Sequence, residues 1–228
     1  MSNALQQLVE AEQKAAHLFR EIERRNLICP GKTEREINQL VYNLAFELFG
    51  IKKYWHKRIV RSGENTLFPY DENPKNLLVK TDDIVFLDFG PIFEDWEADY
   101  GRTYVLGEDP LKHKLASDIE TAWQVANSFF HSQKEISGAT LYQYCQDLAS
   151  AKGWEFGGPI AGHLIGHFPH EKLDQEDKTN YIHPENHLDM NAPNQKGEIR
   201  QWILEIHFVD RTQKIGGFFE QLLIQTIT

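Results

Sequence analysis

Residues 84–107 read IVFLDFGPIFEDWEADYGRTYVLG and contain the strongest β-strand pattern in the chain. Apolar residues dominate positions 84–93, and a second strand pattern follows over 96–106. The two runs are separated by a short polar connection, Glu94-Asp95. Extended runs joined in this way predict a β-hairpin.

Two aspartates lie within this predicted hairpin. If the turn is centred between Phe93 and Glu94, Asp88 lies directly opposite Asp99, and both carboxylates point to the same face with their Cβ atoms about 5 Å apart. Two like charges in an apolar strand need a cation or a shared proton. On the pair alone, the alternative that one aspartate simply faces solvent stays open.

Further acids and a histidine follow in the second half of the chain. Glu205 lies in QWILEIHFV and Glu220 in GGFFEQLLIQ, each the only acid of an apolar strand pattern. Buried carboxylates are costly without a partner, and divalent Mn, Fe, Co or Zn are natural counter-ions for them. His163, in GGPIAGHLIGHFPHE, would alone be read as a structural residue. Together with two Asp and two Glu, it suits a site for two metal ions about 3.5–4 Å apart.

The remaining patterns predict an α+β fold. Apolar residues recur at helical spacing in four segments, and two late strand patterns close the chain. Thr33 and Glu36 have the spacing of a capping box at the start of the second helix. The predicted helices cover 3–25, 33–50, 110–129 and 139–151, and the late strands cover 201–209 and 218–227. The order of the second half repeats that of the first, which favours one domain over residues 1–228 with two similar halves.

Composition narrows the functional classes. The chain has 228 residues and a formal charge of −10, from 34 acidic and 24 basic residues. This balance does not suit a nucleic acid or an anionic membrane surface, since both require a basic patch. The chain lacks a long apolar run and the pattern of a signal peptide, and Cys29 and Cys145 do not form a disulfide framework. We therefore expect a soluble cytoplasmic protein that binds neither nucleic acid nor a membrane.

These motifs resemble those of the M24 metallopeptidases, the "pita-bread" family of methionine aminopeptidases, prolidases and aminopeptidase P. IVFLDFG and EADYGRTYVLG resemble the paired-aspartate hairpin of the family, and AGHLIGHFPHE resembles its glycine- and histidine-rich segment. ILEIHF and GGFFEQLLI match its two late glutamates. The resemblance covers most of the chain. It implies the pita-bread (creatinase/aminopeptidase) fold, with two pseudo-symmetric αα-ββ halves around a curved antiparallel sheet.

The resemblance also implies a role for each of the five metal-ligand candidates. Asp88 would chelate one of two divalent ions (Mn, Co, Fe or Zn), while Asp99 and Glu220 would bridge both ions. His163 and Glu205 would hold the other ion. The implied reaction is hydrolysis of a peptide bond near the N-terminus of a small peptide. The sequence does not fix the oligomeric state, and a homodimer is one alternative.

The catalytic residues implied by the resemblance are Glu205 and His170. Glu205 would carry the proton from the attacking water to the leaving amine. His170 would hydrogen-bond the substrate or the tetrahedral intermediate. His207 follows Glu205 by two positions on a strand, so we expect it on the same face and near the substrate.

Three features depart from the family pattern, one of which is Ile206-His207 after Glu205 in place of the usual proline. Leu164 stands where the family usually has glycine, which would narrow the approach to the metal ions. Tyr70 stands at or near the place of a substrate-contacting histidine. Tyrosine can still donate a hydrogen bond, and His56 and His167 are alternatives for that contact.

Shorter motifs favour the prolidase and aminopeptidase P branch, and hence an Xaa-Pro peptidase. They are Arg102-Thr103 after the second aspartate, and Ser62-Gly63 with Asn65 before the hairpin. A methionine aminopeptidase-like activity is the first alternative. A non-catalytic pita-bread module that binds a protein is another, and a metal-independent C–N hydrolase like creatinase ranks last because it would not need the paired carboxylates.

Overall fold

The protein is described here by a computed structural model that covers residues 3–169, 177–194 and 196–224. Within these residues, four α-helices and nine strands form an α+β architecture, which confirms the predicted fold class. Short 3-10 helices lie at Gly63–Leu67 and Lys178–Asn180. In chain order the elements are α1 (Asn3–Arg24), α2 (Glu34–Phe49), β1 (Ile59–Ser62), β2 (Ile84–Phe89), β3 (Ile92–Phe93), β4 (Trp96–Glu97), β5 (Tyr100–Val105), α3 (Pro110–Ser132), α4 (Gly138–Lys152), β6 (Glu155–Phe156), β7 (Gly162–Ile165), β8 (Gln201–Asp210) and β9 (Ile215–Leu222).

Helix α2 begins at the predicted capping box. The Thr33 side chain accepts a hydrogen bond from the Glu36 N–H, and the Glu36 carboxylate accepts one from the Thr33 N–H. The helix ends at Gly50, whose left-handed φ of 68° suits a residue without a Cβ. Local sequence signals therefore fix both ends of this element.

One antiparallel sheet forms the centre of the protein. Its strand order is β1-β2-β5-β9-β8-β6, and β7 pairs with β8. Helices α1 and α2 pack with β2 in one apolar core, while α3 and α4 pack with β8 and β9 in another. The order of elements thus repeats, helix pair then strands, and each half buries its own helix pair against the sheet.

The hairpin register differs from the prediction. Asp88 pairs with Gly101, not with Asp99. The turn is centred between Glu94 and Asp95, which both have positive φ values of 50° and 70°. These angles are those of a two-residue hairpin turn, whose centre lies one residue later than we expected.

The ends of the two late strands also differ from the prediction. Strand β9 begins at Ile215 and ends at Leu222, where the sequence predicts 218–227, and positions 225–227 lie outside the described residues. Strand β7 forms within the glycine-rich segment that carries His163. No helix in the described parts of the chain combines the length and apolar character needed to cross a bilayer.

Candidate metal centre

A row of acidic side chains crosses the middle of the sheet. Asp88 on β2 pairs with Gly101 on β5, Gly101 pairs with Glu220 on β9, and Glu220 pairs with Glu205 on β8. Directly opposed residues on antiparallel strands point to the same face, so the three acids share one face. The close pairing of β5 with β9 requires glycine at position 101, because a Cβ there would lie 2.6 Å from the Phe218 ring and 3.0 Å from the Cβ of Glu220.

Strand alternation explains why this face is acidic. Neighbouring residues such as Leu87, Leu204 and Phe219 belong to the cores under the helices. Since successive side chains point to opposite faces, Asp88 and Glu205 must point away from the helices. The helix-covered face is therefore apolar, and on the opposite face the acids lie between apolar residues such as Phe86 and Phe218.

Asp99 joins this row to two histidines. Its Oδ1 lies 3.1 Å from His56 Nε2, and its Oδ2 lies 3.2 Å from His163 Nε2. His56 Nε2 is also 3.5 Å from Asp88 Oδ1, and His163 Nε2 is 3.9 Å from Glu220 Oε1. The geometry thus forms two three-residue groups that share Asp99, one with His56 and Asp88 and one with His163 and Glu220.

Burial and mutual repulsion perturb the acids strongly. Burial raises the pKa of Asp88 to about 7, and burial with the charges of Asp88 and Asp99 raises that of Glu205 to about 7. Burial and the neighbouring carboxylates raise the pKa of Glu220 well above its usual value. Burial would also raise the pKa of Asp99, but His56 and His163 outweigh it and lower this pKa to about 2.

The pKa values of the two histidines rise because the nearby carboxylates favour the charged imidazolium form. Burial lowers the pKa of His56, but Asp99 and Asp88 outweigh it and raise the pKa to about 9. The pKa of His163 is raised as well, because its bond to Asp99 outweighs burial. Four acids and two histidines with shifted pKa values in one cluster indicate a functional site.

The donor set fits divalent metal ions. Asp88 Oδ1 and Glu220 Oε2 are buried and have no hydrogen-bond partner among the described residues. Buried carboxylate oxygens without partners are costly, and a cation would satisfy them. Carboxylate and imidazole donors together suit Mn, Fe, Co and Zn. His163 is oriented for this role, because its Nδ1 bonds to the carbonyl oxygen of Leu164 at 2.8 Å and its Nε2 faces the acids.

The predicted substrate-contacting residues lie in different surroundings. Tyr70 is 43% exposed, its ring centroid lies 5.8 Å from that of His56, and its hydroxyl accepts a bond from the Lys57 N–H at 3.4 Å. His167 is exposed, and its ring packs edge-on against Trp96. His170 lies outside the described residues.

His207 is engaged in the interior of the protein. It follows Glu205 along β8, as expected, but its Nε2 donates to the carbonyl oxygen of Thr66 at 2.8 Å. Its ring packs between those of Phe86 and Phe218. This nitrogen is therefore engaged within the protein, and the substrate contact of His207 stays a prediction.

The buried ring of His207 should make stability depend on pH. Burial lowers its pKa to about 4, whereas the imidazole of the unfolded chain titrates near its ordinary value of about 6.5. Between these values the unfolded state binds more protons, so stability falls as the pH is lowered, by about 3 kcal/mol in total. Urea unfolding at about pH 7 and about pH 4.5 should show a smaller loss for His207→Gln than for the wild type. The exposed His113→Gln is the matched control, and equal losses in wild type and His207→Gln would contradict this expectation.

Sequence reasoning missed the contributions of two other side chains. Arg102 marks the Xaa-Pro branch in the sequence, and in the structure its guanidinium packs between the rings of Tyr100 and Phe219 and donates to the Glu220 carbonyl at 2.9 Å. Glu34 is buried at the start of α2 and accepts bonds from the N–H groups of Ser62 and Leu77, among others, which holds the loop before the hairpin. Neither long-range contact has a periodic signature in the sequence.

Comparison with known proteins gives a consistent result. The family model for metallopeptidase family M24 matches residues 6–201. A curated Mycoplasma pneumoniae protein named "Putative Xaa-Pro aminopeptidase" is 26% identical over 185 residues, which are 80% of this chain and 50% of that protein. The crystal structure of an X-Pro aminopeptidase from Thermotoga maritima is similar with a TM-score of 0.75 at 20% identity, covering 97% of this chain and 61% of that chain.

A methionine aminopeptidase from Thermotoga maritima has a similar structure as well. Its TM-score is 0.71 at 19% identity, and the match covers 97% of this chain and 92% of that chain. This chain spans about half the length of the curated relatives it matches. The structural likenesses confirm the predicted pita-bread fold.

Proposed function

Because this chain belongs to metallopeptidase family M24, we propose that it is a metal-dependent peptidase that hydrolyses a peptide bond near the N-terminus of its substrate. The observation that carries this proposal is the convergence of Asp88, Asp99, His163 and Glu220 on the acidic face of the sheet, with Glu205 in the same row. We further propose one catalytic domain over residues 1–228 that acts in the cytoplasm on small peptides.

The centre would hold two divalent ions. The two ligand groups share Asp99, which supports a pair of neighbouring ions bridged by this residue. Asp88 would hold one ion, His163 and Glu205 the other, and Glu220 would join Asp99 as a bridge. When bound, such ions polarise the scissile carbonyl and acidify a water molecule so that it reacts near neutral pH.

Glu205 is suited to move the proton. In the metal-free protein, burial raises the pKa of its carboxylate to about 7, so this group can hold a proton near neutral pH. It would take the proton of the attacking water and return it to the nitrogen of the leaving amine. Tyr70 lies at the edge of the cluster and would donate a hydrogen bond to the substrate, and His170 remains a prediction for the same role.

The names of the relatives support Xaa-Pro peptides as the substrate class. Matched curated proteins carry the names of Xaa-Pro aminopeptidase and Xaa-Pro dipeptidase. Arg102, the sequence marker of this branch, braces the strand that carries Glu220. The second candidate is a methionine aminopeptidase-like activity, favoured by the 92% coverage of the Thermotoga enzyme of that name.

The test combines metal analysis with peptide assays. Purified protein is analysed for Mn, Fe, Co and Zn and then assayed under the metal found with Ala-Pro, Ala-Pro-Ala and Met-Ala-Ala. We expect bound metal and at least about tenfold faster cleavage of the Xaa-Pro peptides. Faster cleavage of Met-Ala-Ala would support the second candidate. Protein that binds none of these metals and cleaves none of these peptides would overturn both.

A further inference from the structure

His56 enters the metal centre from outside the set of ligands that the family resemblance implies. It lies between α2 and β1, in a segment fixed to the bend that follows β2. The Trp55 N–H donates to the Gly90 carbonyl at 3.0 Å, and the Ile92 N–H donates to the Lys53 carbonyl at 3.2 Å. These backbone bonds place the His56 side chain over the end of β2, where Asp88 lies.

Gly90 provides the space for this side chain. A Cβ at position 90 would lie 2.2 Å from Cδ2 of His56 and 2.4 Å from Nε1 of Trp55. Any larger residue at this position would therefore displace the ring. The His56 side chain is only 7% exposed, and its ring packs edge-on against Trp55 with a centroid distance of 4.5 Å. Its position is thus determined by the fold and not by chance contact at the surface.

The orientation of the ring is that of a metal ligand. His56 Nδ1 lies 2.7 Å from the carbonyl oxygen of Lys57, which can only accept, so Nδ1 carries a hydrogen. Nε2 then faces Asp99 Oδ1 at 3.1 Å and Asp88 Oδ1 at 3.5 Å. His163 has the same arrangement, with Nδ1 on a backbone carbonyl and Nε2 toward the acids. Histidines that bind metals typically donate their other ring N–H to such a carbonyl.

We propose that His56 is an additional protein ligand of the metal pair, and that its Nε2 binds the ion held by Asp88 and Asp99. This inference rests on the proposed metal-dependent function. It gives each ion one imidazole nitrogen beside carboxylate oxygens, His56 for the first ion and His163 for the second. Because nitrogen donors favour Zn, Co and Fe over Mn, the first ion should share the metal preference of the second.

Cobalt-loaded protein tests the proposal without relying on activity. A paramagnetic Co(II) ion strongly shifts the NMR signal of an exchangeable imidazole N–H on a bound histidine. Wild-type protein titrated with Co(II) should show two such signals, one from each Nδ1–H. His56→Ala should lose one signal and at least about tenfold in affinity for one ion, measured by calorimetry. His163→Ala should lose the other signal, and the exposed His113→Ala should keep both.

The outcomes separate this inference from the proposed function. A wild-type protein with one shifted imidazole signal, or a His56→Ala variant with unchanged signals and affinity, would overturn the proposal and leave the metal site in place. A wild-type protein that binds no Co(II) would instead overturn the metal-dependent function itself. His56→Gln, a neutral residue of similar length, repeats the test if the alanine variant fails to fold.

Discussion

Replacing Asp99 with asparagine is expected to remove bound metal and peptidase activity together. Asp99 is only 2% exposed and contacts both His56 and His163, so it belongs to both ligand groups. The neighbouring histidines lower its pKa to about 2, and it is therefore ionised at neutral pH. Asparagine keeps the shape but loses the charge and one acceptor. Loss of several kcal/mol of electrostatic stabilisation would lower kcat/KM by at least about a thousandfold.

Elemental analysis and steady-state assays measure this effect. Asp95→Asn is the matched control, because it makes the same chemical change at an exposed turn position whose positive φ asparagine tolerates. The control should retain metal content and activity. Wild-type metal content in Asp99→Asn would show that Asp99 is not a shared ligand.

Replacing Glu220 with leucine is expected to stabilise the metal-free protein while abolishing its response to metal. Glu220 is 2% exposed, its Oε2 lacks a hydrogen-bond partner among the described residues, and it lies beside Asp99. Removing a buried polar group that lacks a partner also removes its desolvation penalty, so the metal-free protein should gain about 1–3 kcal/mol of stability. In the wild type, metal at a thousand times its dissociation constant should add about 4 kcal/mol, and this increment should disappear in the variant.

Urea unfolding with chelator and with added Co(II) or Mn(II) measures both parts of this expectation. Glu155→Leu makes the same change at an exposed strand position, and it should shift stability by no more than about 0.5 kcal/mol and keep the metal increment. A metal-free Glu220→Leu protein less stable than the wild type would mean that the carboxylate supports the fold directly.

The sequence predicts which acids converge better than it predicts their arrangement. Asp88, Glu205 and Glu220 stand out because each interrupts an apolar strand, and the register of the sheet places them on a common face. The hairpin register was wrong because the turn centre depends on the backbone angles of Glu94 and Asp95, which composition does not specify. A shift of one position in the turn moves every cross-strand pair by two residues, yet it leaves Asp88 on the same face.

The contribution of His56 could not be predicted from local pattern. The sequence offers it only as one alternative for a substrate-contacting histidine, because no periodicity links it to the hairpin. Its place depends on backbone bonds between the segment before β1 and the bend after β2, and on the absence of a side chain at Gly90. For His207, the sequence predicts the position on the strand correctly. It does not predict the hydrogen bond from His207 Nε2 to the Thr66 carbonyl oxygen, which is a contact within the protein.

The row of acids also crosses the midline of the protein. Asp88 belongs to the first half and Glu220 to the second, and the two halves meet where β5 pairs with β9 through Gly101 and Glu220. Cations held by both halves would bridge this joint directly. Metal uptake would then tie the two halves together, and slower amide exchange along β5 and β9 would accompany it.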